Sequence, residues 1–330
     1  MQIQLAPLKV ELADLNSSLL LILSQSWPLM PNLLFRIPQK LRKLSTTAAV
    51  VFYLTLQVGC VSGDSFPTNA NIVLEDPIEN PESWVLGSYP GWVQKRLTPM
   101  DVPYEMFTHI MHFAMYPTDD GGLDIGDIFT DRNANNAVEA AHAFNTPIIL
   151  VVGGEGEGEH FVGATNESNL PSFVDAIIKR VQKHGYDGVS IDWEEAVVDR
   201  QLIALIKALN QAFSELPDKP LLMVDIMTNF VKAKTAAAVE PYVDTLNIMS
   251  YYNYNKIEDE FDYYRRAGIP AGKVIMGVGL FPRADDLKKN RLRTKMQYAR
   301  KKGFLGTELW SFEFVDWDSP IIQQYNNMRW

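Results

Sequence analysis

The residues best suited to acid–base chemistry lie in one run of the 330-residue chain, Asp187-Gly188-Val189-Ser190-Ile191-Asp192-Trp193-Glu194. Side chains alternate along an extended strand, so Ser190, Asp192 and Glu194 share a face. Two carboxyls crowded in a partly dry pocket cannot both ionise freely. The pKa of one is raised, which makes a proton donor usable near neutral pH. An isolated Asp-x-Glu is more often a buried structural pair or a solvated strand end, so the elements around it decide.

Those elements alternate. From Trp84 onward, eight short apolar runs read as strands: 84–89, 107–116, 147–154, 188–193, 221–227, 245–252, 273–281 and 306–314. Between the third and fourth, SFVDAIIKRVQKHG is apolar at Phe173, Val174, Ile177, Ile178 and Val181 and closes at Gly185, a helix with its stop signal. RQLIALIKALNQAFSELP repeats the pattern before Pro217, and TKMQYARKKG precedes the last strand. Strand–helix alternation implies parallel βαβ units, and eight of them predict a single (β/α)8 TIM barrel, minimal and without an inserted subdomain. The first βα turn, SYPGW, carries no dinucleotide fingerprint, which argues against an open doubly wound sheet. In a barrel the C-terminal strand ends form the active face, and Glu194 falls on one of them.

At this point the segment resembles a known signature. It is similar to the family 18 glycoside hydrolase motif DGxDxDxE at Asp187, Gly188, Asp192 and Glu194, with Ser190 where the second Asp would stand. Other pieces agree in order. YPGW (89–92) resembles the end of strand 1, FAMY (113–116) the aromatic strand 2, and VVGG (151–154) the S-x-G-G of strand 3, with Val151 for Ser. NIMSYY (247–252) resembles the strand 6 M-x-Y-D with Tyr252 for Asp, MGVGLFPR (276–283) resembles strand 7, and ELWSFEF (308–314) supplies the strand 8 tryptophan. The similarity spans residues 84 to 315.

The resemblance implies a retaining hydrolysis of glycans containing N-acetylglucosamine, in which the substrate's own acetamido group replaces a carboxylate nucleophile. Glu194 would be the acid, Asp192 would orient the acetamido group, and Tyr251 would hydrogen-bond its oxygen. Trp310 would form the floor under the sugar, with Tyr89, Phe113, Gly153, Gly154, Ser190, Met249 and Tyr252 as further substrate-binding positions. Ser190 can hydrogen-bond but cannot hold a charge, so its coupling to Asp192 is expected to weaken. Chitin, peptidoglycan and N-glycan cores are all open as substrates. A chitinase-like lectin that binds without turnover is the alternative.

The rest of the chain bounds the answer. A net charge of -10 argues against a nucleic-acid partner. A single cysteine, five histidines without ligand spacing and no phosphate loop leave no metal or cofactor expected. Glu155 to Glu159 reads as a solvated loop at the mouth, His109 and His112 as core or rim residues, and the basic run Lys288 to Lys302 as a solvated helix face.

Residues 1–60 read as an N-terminal extension and export signal. A basic patch (Arg36, Lys40, Arg42, Lys43) precedes an apolar stretch that stops at Cys60. The cysteine there resembles a lipoprotein lipidation site, and Met30 is a candidate start. These features predict an exported, cell-envelope protein with a possible lipid anchor to the membrane. A Pro-rich linker (61–83) leads to the barrel (84–330).

Overall fold

A computed structural model describes residues 83–330 apart from 127–128, 252–256, 283, 285–290, 318, 321, 323–324 and 326–330. The export signal, Cys60, the linker as far as residue 82 and Tyr252 therefore lie outside the described residues.

Among the described residues nine strands form the sheet: β1 (Trp84–Pro90), β2 (His109–Pro117), β3 (Leu123–Asp124), β4 (Ile148–Gly153), β5 (Gly188–Asp192), β6 (Leu221–Ile226), β7 (Thr245–Ile248), β8 (Val274–Gly279) and β9 (Gly306–Trp310). All but β3 run parallel, in the order β1-β9-β8-β7-β6-β5-β4-β2, and a β1–β2 pairing closes the ring. The result is an eight-stranded parallel barrel, with β3 an antiparallel addition to the end of β2. Closure leaves no barrel edge unpaired.

Seven α-helices pack outside it: α1 (Asp131–Ala143), α2 (Gly158–Ala164), α3 (Leu170–His184), α4 (Asp199–Ser214), α5 (Ala233–Val239), α6 (Ile257–Arg265) and α7 (Arg291–Lys302) among the described residues. α3 buries Phe173, Val174, Ile177 and Val181 and ends on Gly185, whose φ of 77° and N–H bond to the Val181 carbonyl make a left-handed cap. α1 opens on Thr130, whose hydroxyl accepts from the Asn133 N–H at 3.2 Å.

Two apolar layers follow from strand alternation. Outward residues such as Ile148, Leu150, Val189, Ile191 and Leu246 meet the helices. Inward residues Leu86, Met111, Ile149, Val151, Met223 and Ile275 fill the barrel floor. The floor is packed, so only the upper inward positions are free to carry polar groups.

Two expectations change. The strand expected over 245–252 stops at Ile248, and the one over 306–314 stops at Trp310 and continues as a 3-10 turn at Phe312–Phe314. The Glu155–Glu159 run is not wholly a loop, because Gly158 is buried and opens α2.

Candidate active site

A cleft of about 580 Å³ opens at the C-terminal ends of the strands, where Asp192, Glu194, Asp225, Tyr251, Glu308 and Trp310 come together. β5 delivers Asp192 on its inward face, and Glu194 follows two residues past it. Asp192 is 4% exposed, and its Oδ1 atom is buried with no hydrogen-bond partner. Glu194 is half-buried.

The glycines after β4 make room for this arrangement. A Cβ on Gly153 would lie 2.2 Å from the Asp192 carbonyl, and one on Gly154 would lie 2.8 Å from the Phe113 ring. Both have positive φ, 112° and 121°, which favours glycine. The Gly154 N–H donates to the Asp192 carbonyl at 2.9 Å, tying β4 to the strand that carries the acids.

Four carboxyls at the mouth hold their protons unusually tightly. Burial, then the neighbouring Glu195 and Glu155, pushes Glu194 up to about 7. Burial, reinforced first by Asp225 and then by Glu194, pushes Asp192 far above the usual carboxylate range. Burial raises Asp225 to about 6 against the lowering effect of bonds from Ser190 and Asn247. Glu308 rises to about 8 through burial and the charge of Asp225, partly offset by Ser88. A half-buried Glu194 that stays protonated near neutrality is suited to general acid catalysis.

Aromatic rings build the walls. Phe113 meets Trp310 edge-on at 4.6 Å between centroids, and Trp92 meets Phe113 edge-on at 5.8 Å. Trp92 is 37% exposed and donates from Nε1 to Glu313 at 2.9 Å. The peptide bonds Phe113–Ala114 and Trp310–Ser311 are cis.

Of the expected positions, Glu194, Asp192, Tyr251, Trp310, Phe113, Gly153, Gly154 and Met249 line the cleft. Tyr89 does not. Ser88 takes the inward position on β1, so Tyr89 faces outward, is fully buried, and donates to the Leu97 carbonyl at 2.6 Å. Ser190 is buried below the mouth, where its hydroxyl donates to Asp225 at 2.6 Å. Position 190 thus carries no charge toward Asp192, and the acidic neighbour of Asp192 is Asp225 from the next strand. Asp225, Glu308, Glu195 and Trp92 were not singled out from sequence. A lone Asp in the apolar run LLMVDIM and a Glu in GTELW, each two positions or fewer from a strand's C-terminal end, were the available signals.

A family model for glycosyl hydrolases family 18 matches residues 85–319, from the first strand to past the last. The chain belongs to that family.

Among proteins similar in sequence, a chitinase-like effector of Moniliophthora perniciosa is 29% identical over 110 residues, covering 33% of this chain and 25% of the relative. Chitinase 1 of Aphanocladium album is 21% identical over 250 residues, covering 59% of each. The matches thus span between a quarter and three-fifths of those relatives' own lengths. Two solved structures share the fold. A chitinase from Rhizomucor miehei superposes with a TM-score of 0.62 at 22% identity, covering 74% of this chain and 99% of that one. A chitinase from Cycas revoluta in complex with (GlcNAc)3 gives 0.64 at 15% identity, covering 74% and 99%.

Among the described residues, no cluster of His, Cys, Asp or Glu is arranged to hold a metal ion, and no helix is long and apolar enough to cross a membrane.

Proposed function

We propose that the protein hydrolyses β-1,4-linked glycans containing N-acetylglucosamine, with retention and with the substrate's acetamido group as nucleophile. The observation that carries this reading is the pairing of a half-buried acid, Glu194, with a buried carboxyl, Asp192, whose Oδ1 atom lacks a partner. A buried acceptor left open is costly unless a ligand donor fills it. An acetamido N–H is such a donor.

The steps follow. Glu194 gives its proton to the glycosidic oxygen as the C1–O bond breaks. The acetamido carbonyl oxygen bonds to C1 and forms an oxazolinium ion, whose positive charge Asp192 stabilises. Tyr251 donates to the acetamido oxygen, and Trp310 lies under the ring. Glu194, now ionised, then takes a proton from water, which attacks C1 and reopens the ring with net retention.

The cleft also bears on which glycan. Its described lining contains Glu155, Asp192, Glu194, Glu195, Asp225 and Glu308 but no Lys, Arg or His. A cleft of one sign repels an anionic polymer. This favours uncharged chitin-type chains or N-glycan cores over peptidoglycan with its peptide and muramyl carboxylates. The (GlcNAc)3 complex of the Cycas revoluta structure accords with that preference. Exported placement near such a polymer is part of the proposal, resting on the N-terminal sequence alone.

The test is a chitotriose whose acetamido group at the cleaved unit is replaced by a hydroxyl. The parent sugar is expected to be cleaved and the replacement left intact. Equal cleavage of both would remove the acetamido nucleophile. Tight binding of the parent without turnover would instead favour the lectin reading, for which Ser190 at the motif's second Asp position is the specific ground.

A further inference from the structure

Position 190 lacks the acid that the motif places there, yet the barrel has not lost an acid beside Asp192. β5 and β6 pair in register with Asp192 opposite Asp225. Neighbouring positions on adjacent strands project to the same side about 4.8 Å apart. Both carboxyls line the same cleft and are about equally buried, at 4% and 5% exposed. We propose that Asp225 is a positioning residue that replaces the missing acid, receiving a proton from Asp192 during the reaction. The inference rests on the proposed hydrolysis for its catalytic consequence.

Two hydrogen bonds at Asp225 favour its charged form against the effect of burial. Ser190 donates to Oδ2 at 2.6 Å and Asn247 donates to Oδ1 at 2.8 Å. Each is an uncharged donor, and a carboxylate accepts from both with lone pairs to spare. Asp192 has no comparable donor on Oδ1 and faces Asp225 and Glu194, so it is the member of the pair that keeps the proton. The other groups facing the pair are Glu195 past β5, Glu308 from β9, held by the Ser88 hydroxyl at 2.9 Å, and Tyr251 beyond β7. None of these is cationic.

As positive charge builds on the oxazolinium ring, the Asp192 proton passes to Asp225, leaving Asp192 ionised beside the ring. When water reopens the ring, the proton returns. No proton enters or leaves the pair, and Glu194 remains the only donor to the leaving group. Ser190 thereby gains a purpose. A serine fits beneath Asp225 and holds it, where a second aspartate would add a third charge.

The test uses the full chain with 13C-labelled aspartate carboxyls, titrated by NMR, alongside kcat against pH on chitooligosaccharides. For Asp225→Asn we expect the Asp192 titration midpoint to fall by about one pH unit or more, because a negative neighbour is gone. We expect kcat to fall about 100-fold with KM little changed. The exchange variant, Ser190→Asp with Asp225→Ser, is expected to recover at least about tenfold of that loss. An Asp192 midpoint that does not move, or an exchange variant no better than Asp225→Asn, would overturn the proposal. If the wild-type chain cleaves no glycan, the hydrolytic reading fails, while the carboxyl titration still decides whether Asp225 and Asp192 share a proton. Should Asp225→Asn not fold, Ser190→Ala gives the second route. Loss of its donor should raise the Asp225 midpoint, and an unchanged midpoint counts against the pair.

Discussion

Lys295 is buried in α7, and its Nζ donates to the main-chain carbonyl of Ser250 at 2.6 Å, one residue before Tyr251. The basic run around it reads from sequence as a solvated face, but this lysine points inward and ties the segment beyond β7 to the outer helix. The segment lies against β8, where the Tyr251 ring is 2.9 Å from the place a Cβ on Gly277 would occupy.

Lys295→Met should therefore act on both stability and rate. It leaves the Ser250 carbonyl without its donor and removes a favourable charge near half-buried Glu260. We expect a loss of about 1–3 kcal/mol, read by denaturant unfolding, and a lower kcat as Tyr251 loses its seat. A stable variant with unchanged kcat would show that this tie does not position Tyr251.

The acid assignment fixes a pH limb. Glu194 acts in its protonated form, so activity should fall as pH rises through about 7. After burial, Glu195 is the largest cause of that raised value. Glu195→Gln should move the limb to lower pH, visible in the kcat profile. A limb that stays in place would separate it from Glu194.

Stability should also depend on pH, and with an unusual sign. Asp225, Glu194 and Glu308 have folded-state pKa values raised to about 6, 7 and 8. Between the ordinary carboxylate range and those values the folded chain binds more protons than the unfolded one. Stability then falls as pH rises. Thermal melting should show Tm declining from about pH 6.5 to pH 8, above the range in which the lowered values of His109, His112 and His184 act in the opposite sense, and Glu308→Gln should flatten part of the decline, most clearly near its upper end.

Trp92 stands exposed at the rim and is held by Glu313, so its face is available to a sugar ring. Trp92→Ala should raise KM for longer chitooligosaccharides by roughly 2–10-fold, with stability little changed, as expected for losing about 0.5–1.5 kcal/mol of ring contact. Equal KM values for short and long substrates in both forms would exclude a binding role.

The barrel was legible because β-branched and apolar runs recur at βα spacing and because Gly185 marks a helix end. The helices α1 and α5 are hard to read from residues because DRNANNAVEAAHA and AKTAAAV are rich in alanine and polar residues, so their buried faces carry little apolar contrast. The acid Glu194 was legible because it follows its partner Asp192 by two residues at the end of one strand. Asp225 was not, because its relation to Asp192 is a register between strands more than 30 residues apart in sequence. Tyr89 was misplaced for a related reason. The motif YPGW points to the mouth of β1, but parity counted from inward Leu86 puts Ser88 inside and Tyr89 outside. Strand alternation within one segment is readable from residues alone, whereas cross-strand neighbours require the closed sheet.

The most direct test follows the anomeric configuration of the first products by proton NMR as the chain acts on chitooligosaccharides, with Glu194→Gln beside it. The account predicts that β-anomer accumulates before mutarotation and that the variant, folded and still able to bind the sugar, forms none. Early α-anomer, or full turnover by Glu194→Gln, would contradict it.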